Sequence, residues 1–140
     1  MIILDTSGAL SAIDAGQRHH AAAAGVLGAE DEPALLSPFV LAEIDYLLAT
    51  KVGVDAELAF LAEVASGAYR LAPFNADDVA VAVGLVERYR DQNIGLTDAS
   101  IVVLAHRHET NRLLTLDEWH FRVVRPLRRF RSFRLLPFDN

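Results

Sequence analysis

The 140-residue chain contains no cysteine. That absence excludes disulfide frameworks, thiolate zinc sites and cysteine nucleophiles together, and it fits a reducing compartment. Lysine is almost as scarce: Lys51 is the only one. Long apolar runs are missing too, and no stretch has the length needed to span a bilayer. Met1-Ile2-Ile3-Leu4-Asp5 lacks the basic region and the apolar length of a signal peptide. The expected location is therefore the cytoplasm, with no membrane partner. A chain of this size is expected to form one domain over residues 1–140, with a core that needs no disulfide or metal to hold it.

Acid outweighs base, with a formal net charge of −6, but unevenly. From Phe121 onward six arginines (122, 125, 128, 129, 131 and 134) face one acid, Asp139, so the tail carries +5 and the body −11. An acidic body is a poor general binder of polyanions. Two readings stay open for the arginines: a solvated rim on the last strand, or a cluster that holds phosphates near a carboxylate site.

Ile2-Ile3-Leu4 reads as a short buried strand with Asp5 at its C-terminal end, and Thr6 or Ser7 starts a helix that stops near Gly16. His19-His20 opens an alanine-rich helix to about Leu27. Adjacent histidines point in different directions on a helix, so both read as surface residues and not as a metal pair. Glu30-Asp31-Glu32 reads as a solvated loop before a second strand at Ala34-Leu35-Leu36-Ser37. Pro38 suits the first turn of a helix running to about Val52. Val40, Leu41, Ile44, Leu47 and Leu48 form its apolar stripe, and Glu43 and Asp45 lie on the two opposite borders. The helical period cannot choose between them.

Val54 to about Ser66 is expected to be amphipathic, with Leu58, Leu61, Ala62 and Ala65 facing inward. Tyr69-Arg70-Leu71 is a third strand, and Asn75 caps a helix to about Arg90 with Asp77 and Asp78 in its first turn. Thr97 is expected to cap the next helix. There Asp98 opens an almost wholly apolar run, Ala99 to Ala105, on the same side as Ile101, Val102 and Ala105. Leu113 to Thr115 reads as a core strand delivering Asp117 at its end, Glu118-Trp119-His120-Phe121 as an aromatic segment, and Phe133 to Pro137 as a final edge strand. Strands separated by helices predict an α/β fold with a mainly parallel sheet and helices on both faces.

Asp5, Asp98 and Asp117 each end a strand or begin a helix, so a parallel sheet can gather them at its C-terminal edge, where open sheets place ligands. Clustered carboxylates repel unless protons or a divalent cation compensate them, and oxygen-only ligands favour magnesium or manganese over zinc. A metal-bound water attacking a phosphate is the corresponding chemistry.

Four ordered stretches then carry a family resemblance: Ile2-Ile3-Leu4-Asp5-Thr6-Ser7, Leu41-Ala42-Glu43-Ile44, Gly95-Leu96-Thr97-Asp98-Ala99-Ser100-Ile101, and Thr115-Leu116-Asp117-Glu118-Trp119-His120-Phe121. Together they resemble the PIN-domain proteins, and more narrowly the VapC toxin ribonucleases of type II toxin–antitoxin pairs. The resemblance implies a three-layer α/β/α fold and puts Glu43, not Asp45, in the acidic helix position. It implies that Asp5 and Asp98 are magnesium ligands (Mn2+ being a possible substitute) and that Asp117 completes the acid pocket. Glu43 would ligate through water or position the nucleophile, and Thr6, Ser7 and Thr115 would support the acids. It also implies endonucleolytic cleavage of RNA to a 5′-phosphate and a 3′-hydroxyl, a homodimer, and a VapB-type antitoxin partner in a hetero-oligomer. The alternative is a noncatalytic PIN-like module that binds RNA or protein. A phosphate-accepting receiver domain ranks last, because it wants a lysine at a strand end and Lys51 lies in a helix.

Overall fold

In a computed structural model, which describes residues 1–139, five short strands form one sheet in the order β3-β2-β1-β4-β5, and every pairing is parallel. The strands are β1 (Ile3–Leu4), β2 (Ala34–Leu36), β3 (Tyr69–Leu71), β4 (Arg112–Leu114) and β5 (Arg134–Leu136). Among the described residues, seven α-helices flank the sheet: α1 (Thr6–Ile13), α2 (His20–Gly28), α3 (Pro38–Lys51), α4 (Val54–Ala65), α5 (Ala76–Arg88), α6 (Leu96–Arg107) and α7 (Glu118–Phe121). This is the three-layer α/β/α architecture expected.

The central strands explain themselves. Ile3 pairs with Leu35 on one side and Leu113 on the other, and all three are fully buried. Strands covered on both faces read as continuous apolar runs, as Ile2 to Leu4 and Ala34 to Leu36 do. From β1 the chain moves outward to β2 and β3, then returns to the other side of β1 for β4 and β5. The order in which strands are added therefore reverses between β1 and β4, and a crevice opens at their C-terminal ends.

Close packing holds α1 over that point. A Cβ on Gly8 would overlap the Leu114 carbonyl and lie 2.7 Å from the Thr115 amide nitrogen, so only glycine lets α1 sit this near β4. On the other side of the crevice, Ser37 caps α3 by accepting from the Phe39 amide at 3.2 Å. Its hydroxyl also lies 2.7 Å from the buried Ser100 hydroxyl, which donates to the Thr97 carbonyl. This hydroxyl pair joins the cap of α3 to α6 inside the core.

Several expectations need correction. α6 begins at Leu96 with Gly95 as its cap, and the Thr97 side chain caps nothing; Asp98 is the third helical residue. β4 stops at Leu114, one residue before Thr115, and α5 stops at Arg88, followed by a 3-10 turn at Arg90–Gln92. The aromatic segment forms α7 because Asp117 accepts from the His120 amide as its cap. α4 is turned from the expected face: Phe60 is buried and Ala56, Leu61 and Val64 pack against the core, so Leu61 faces inward as expected, whereas Leu58 is 58% exposed and Ala62 and Ala65 are exposed too. The large ring of Phe60 finds an edge-on partner in Tyr69, which outweighs the smaller Ala62 and Ala65. His19 and His20 are half-buried, His19 edge-on to Phe138 and His20 against the Ser11 carbonyl. Glu30 is likewise half-buried and pairs with Arg112, while Asp31 and Glu32 are exposed. The tail arginines form an exposed rim, with Arg122 held by Glu118 and Asp139 and Arg129 by Glu109.

Candidate active site

Asp5, Glu43, Asp98 and Asp117 all line one cleft of about 540 Å³ in the crevice between β1 and β4, together with Ser7, Gln17, Leu47, Leu96, Leu116 and His120. Four different elements supply the acids. Asp5 directly follows β1, and Asp117 follows β4 by three residues. Asp98 comes from the first turn of α6, where a carboxylate suits the helix dipole, and Glu43 from the middle of α3.

Asp5 is the most enclosed, only 6% exposed. Its Oδ2 accepts from the Thr115 hydroxyl at 2.6 Å and from the Ser7 hydroxyl at 3.0 Å. Both donors are themselves fixed by backbone, since Thr115 Oγ1 accepts from the Asp117 amide and Ser7 Oγ from the Leu116 amide, each at 2.9 Å. These hydroxyls tie the ends of β1 and β4 together through one carboxylate oxygen. Thr6 does not share in this: its hydroxyl is buried with no partner, and only its backbone serves Asp5. Burial raises the Asp5 pKa, the hydroxyl and backbone donors oppose that, and the nearby Asp117 adds to the rise.

Asp98 is half-buried, and its pKa is pushed up to about 6. Burial is the main cause; Asp5, Asp117 and Glu43 add repulsion, and His120 opposes it. The acids therefore feel one another across the cleft. Geometry also separates the two acids on the borders of the α3 stripe. Glu43 is exposed into the cleft, whereas Asp45 turns toward α4, where its Oδ1 is buried without a partner and its carboxylate raises the pKa of Glu57.

His120 was not singled out from the sequence, yet it reaches the cleft from α7. Its Nδ1 lies 2.7 Å from Asp117 Oδ2 and its Nε2 3.0 Å from the Gln92 carbonyl oxygen. The available signal was the spacing from Asp117 to His120, which puts a ring nitrogen within reach of a capping carboxylate one helical turn away.

The donor set is all oxygen. Among the described residues, no three histidine, aspartate or glutamate side chains converge tightly enough to cage a metal ion. A cation here would rest on two carboxylates and complete its shell with water, as magnesium characteristically does. The Asp98 pKa is raised first by burial and then by the neighbouring acids, and a divalent cation would relieve the second of these. The residues present fit such an ion.

Comparison with known proteins agrees with this architecture. The family model described as PIN domain matches residues 2–126. Ribonuclease VapC26 of Mycobacterium tuberculosis is 47% identical over 126 residues, covering 90% of this chain and 93% of the relative. Among solved structures, VapC20 of Mycobacterium tuberculosis, described as a sarcin-ricin loop cleaving toxin, superposes with a TM-score of 0.80 at 22% identity, covering 92% of this chain and all of that one. A toxin–antitoxin complex from Klebsiella pneumoniae superposes with a TM-score of 0.59 at 20% identity, covering 81% of this chain and 83% of that one. At those identities the two structures speak to fold. Among the described residues, no helix is long and apolar enough to cross a membrane.

Proposed function

The chain belongs to the PIN-domain family and, within it, to the VapC ribonuclease toxins; from that premise we propose that it is a magnesium-dependent endoribonuclease, the toxin of a VapBC-type pair, acting in the cytoplasm as one domain. The observation that carries this reading is the meeting of four carboxylates from four separate parts of the chain in the crevice where the strand order reverses.

Asp5 and Asp98 are the residues that would hold the cation, with manganese as a substitute for magnesium. Bound there, a divalent cation stabilises charge on the scissile phosphate and lowers the pKa of a coordinated water. The protein's part is positional and electrostatic. Thr115 and Ser7 fix Asp5 Oδ2, which leaves Oδ1 free of both hydroxyls. Glu43, exposed at the other wall, orients the attacking water or contacts the cation through it. Asp117 completes the acid pocket. Water oxygen bonds to phosphorus, the bond from phosphorus to the 3′-oxygen breaks, and that oxygen takes a proton. The products carry a 5′-phosphate and a 3′-hydroxyl.

A VapB-type antitoxin and a second copy of the chain are the proposed partners. The antitoxin's C-terminal segment would lie along the exposed sides of α3 and α4, where Tyr46, Val54 and Leu58 are 62%, 60% and 58% exposed. A basic side chain from that segment would compete with the cation for the carboxylates. The test is incubation of antitoxin-free protein with total RNA in magnesium, in chelator, and with Asp98→Asn. Discrete fragments with 5′-phosphates, absent from both controls, are expected. A folded protein that cuts nothing overturns the reading in favour of a binding module.

A further inference from the structure

His120 shares the cleft with four acids, yet both of its ring nitrogens are committed inside the protein. Its partners, the Asp117 carboxylate and the Gln92 carbonyl, can only accept. These acceptors favour the doubly protonated ring, in which both nitrogens donate, and the hydrogen bond to Asp117 is the chief cause that raises its pKa. A ring held at both ends has no donor left for substrate.

The backbone completes the arrangement. The His120 amide donates to Asp117 Oδ1 at 3.0 Å, so one residue occupies both oxygens of that carboxylate. At its far end, the ring meets Gln92, the last residue of the 3-10 turn that follows α5. Asn93 comes next with a left-handed φ of 54°, then Gly95, the cap of α6, and then Asp98. His120 thus spans from the end of β4 to the segment that launches α6. These are the elements whose acids must face each other across the cleft.

We propose that His120 is a positioning residue: a strut that fixes the Asp117 carboxylate and ties the Gln92–Gly95 segment to it, thereby setting Asp117 against Asp98. It also gives each oxygen of Asp117 a fixed donor from the same residue, which holds the plane of that carboxylate. The inference rests on the ribonuclease reading for its kinetic consequence, but the strut itself does not depend on that reading.

The two ends of the strut can be cut separately. In His120→Asn the amide nitrogen takes the place of Nδ1 and retains the donor to Asp117, while in His120→Gln it takes the place of Nε2 and retains the reach to Gln92. In His120→Ala, kcat for RNA cleavage in magnesium should fall about 10- to 100-fold with KM little changed, the usual loss when the residue orienting a site carboxylate is removed. Because His120 acts in large part through Asp117, adding His120→Ala to Asp117→Asn should cost clearly less than His120→Ala costs alone. Amide hydrogen exchange across Gln92–Gly95 should accelerate about tenfold or more in the Ala and Asn variants and stay near wild type in Gln. Additive kinetic losses, or unchanged exchange in the Ala variant, overturn the proposal. A wild-type protein that cleaves no RNA removes the ribonuclease reading alone, and the exchange comparison still decides whether the strut exists.

Discussion

Replacing Asp98 by asparagine should abolish cleavage and make the protein more stable at neutral pH. Burial and three neighbouring acids hold the Asp98 pKa at about 6 against an ordinary 3.8. That gap corresponds to about 3 kcal/mol between the two protonation states. Asp98 is only half-buried, and solvent screening reduces the effect to about 1–2 kcal/mol. The sign follows from linkage: the folded state holds the proton more tightly than the unfolded chain. The favourable contribution of the protonated group is present in full below pH 3.8 and is lost as pH rises through about 6. Asparagine cannot ionise, so the variant escapes that loss. Urea unfolding in chelator, repeated from pH 4 to pH 8, should show the two proteins close together at the acid end. Asp98→Asn should then draw ahead up to about pH 7 and hold a constant lead beyond. A variant less stable than wild type at pH 7.5, or a difference independent of pH, would refute the claim that Asp98 is held ionised at a cost to the fold.

Gly8→Ala should destabilise by about 1–3 kcal/mol or more, because its new methyl group meets the backbone of β4 and not a movable side chain; the urea midpoint measures this. Thr115→Val removes the donor to Asp5 and leaves the Asp117 amide without its acceptor, for a loss of about 1–3 kcal/mol. Thr115→Ser, which keeps the hydroxyl, should recover most of the stability and the cleavage rate. Asn75→Ala breaks a reciprocal capping box far from the cleft and should cost about 1 kcal/mol in thermal unfolding while leaving RNA cleavage unchanged.

The sheet was legible because β1, β2, β4 and β5 carry short runs of isoleucine and leucine followed directly by a polar residue or a proline, and because helices separate most of the strands. Their boundaries were less so. Thr97 looks like a cap by composition, yet Gly95 caps α6, and the Thr97 carbonyl is used by Ser100 from one turn further on. The inward face of α4 is ambiguous in the sequence because Leu58 and Phe60 compete for it, and only the position of Tyr69 in the folded chain decides for Phe60. The acids were legible singly, since each ends a strand or opens a helix. Choosing Glu43 over Asp45 took a family resemblance, because the helical period places both at equal distances from the stripe. The physical difference is tertiary: one side looks into the cleft and the other onto α4.

His120 shows why the remainder of the site was hidden. Its importance lies in an acceptor 28 residues away, the Gln92 carbonyl, which no local pattern encodes. Thr115 and Ser7 were named through the family resemblance and not through any local pattern, since their hydroxyls meet at Asp5 across a separation of 108 residues. The acids themselves can be read from where strands end, because topology alone carries them to one edge. The groups that hold them apart, donate to them and limit their repulsion are fixed by the approach of β1, β4 and the segment before α6. That approach depends on Gly8, a residue with no chemistry of its own: a side chain there would push α1 from β4 and carry Ser7 away from the Leu116 amide. Carboxylates can be brought this close because the hydroxyl and imidazolium donors around them are anchored to backbone on both sides of the crevice.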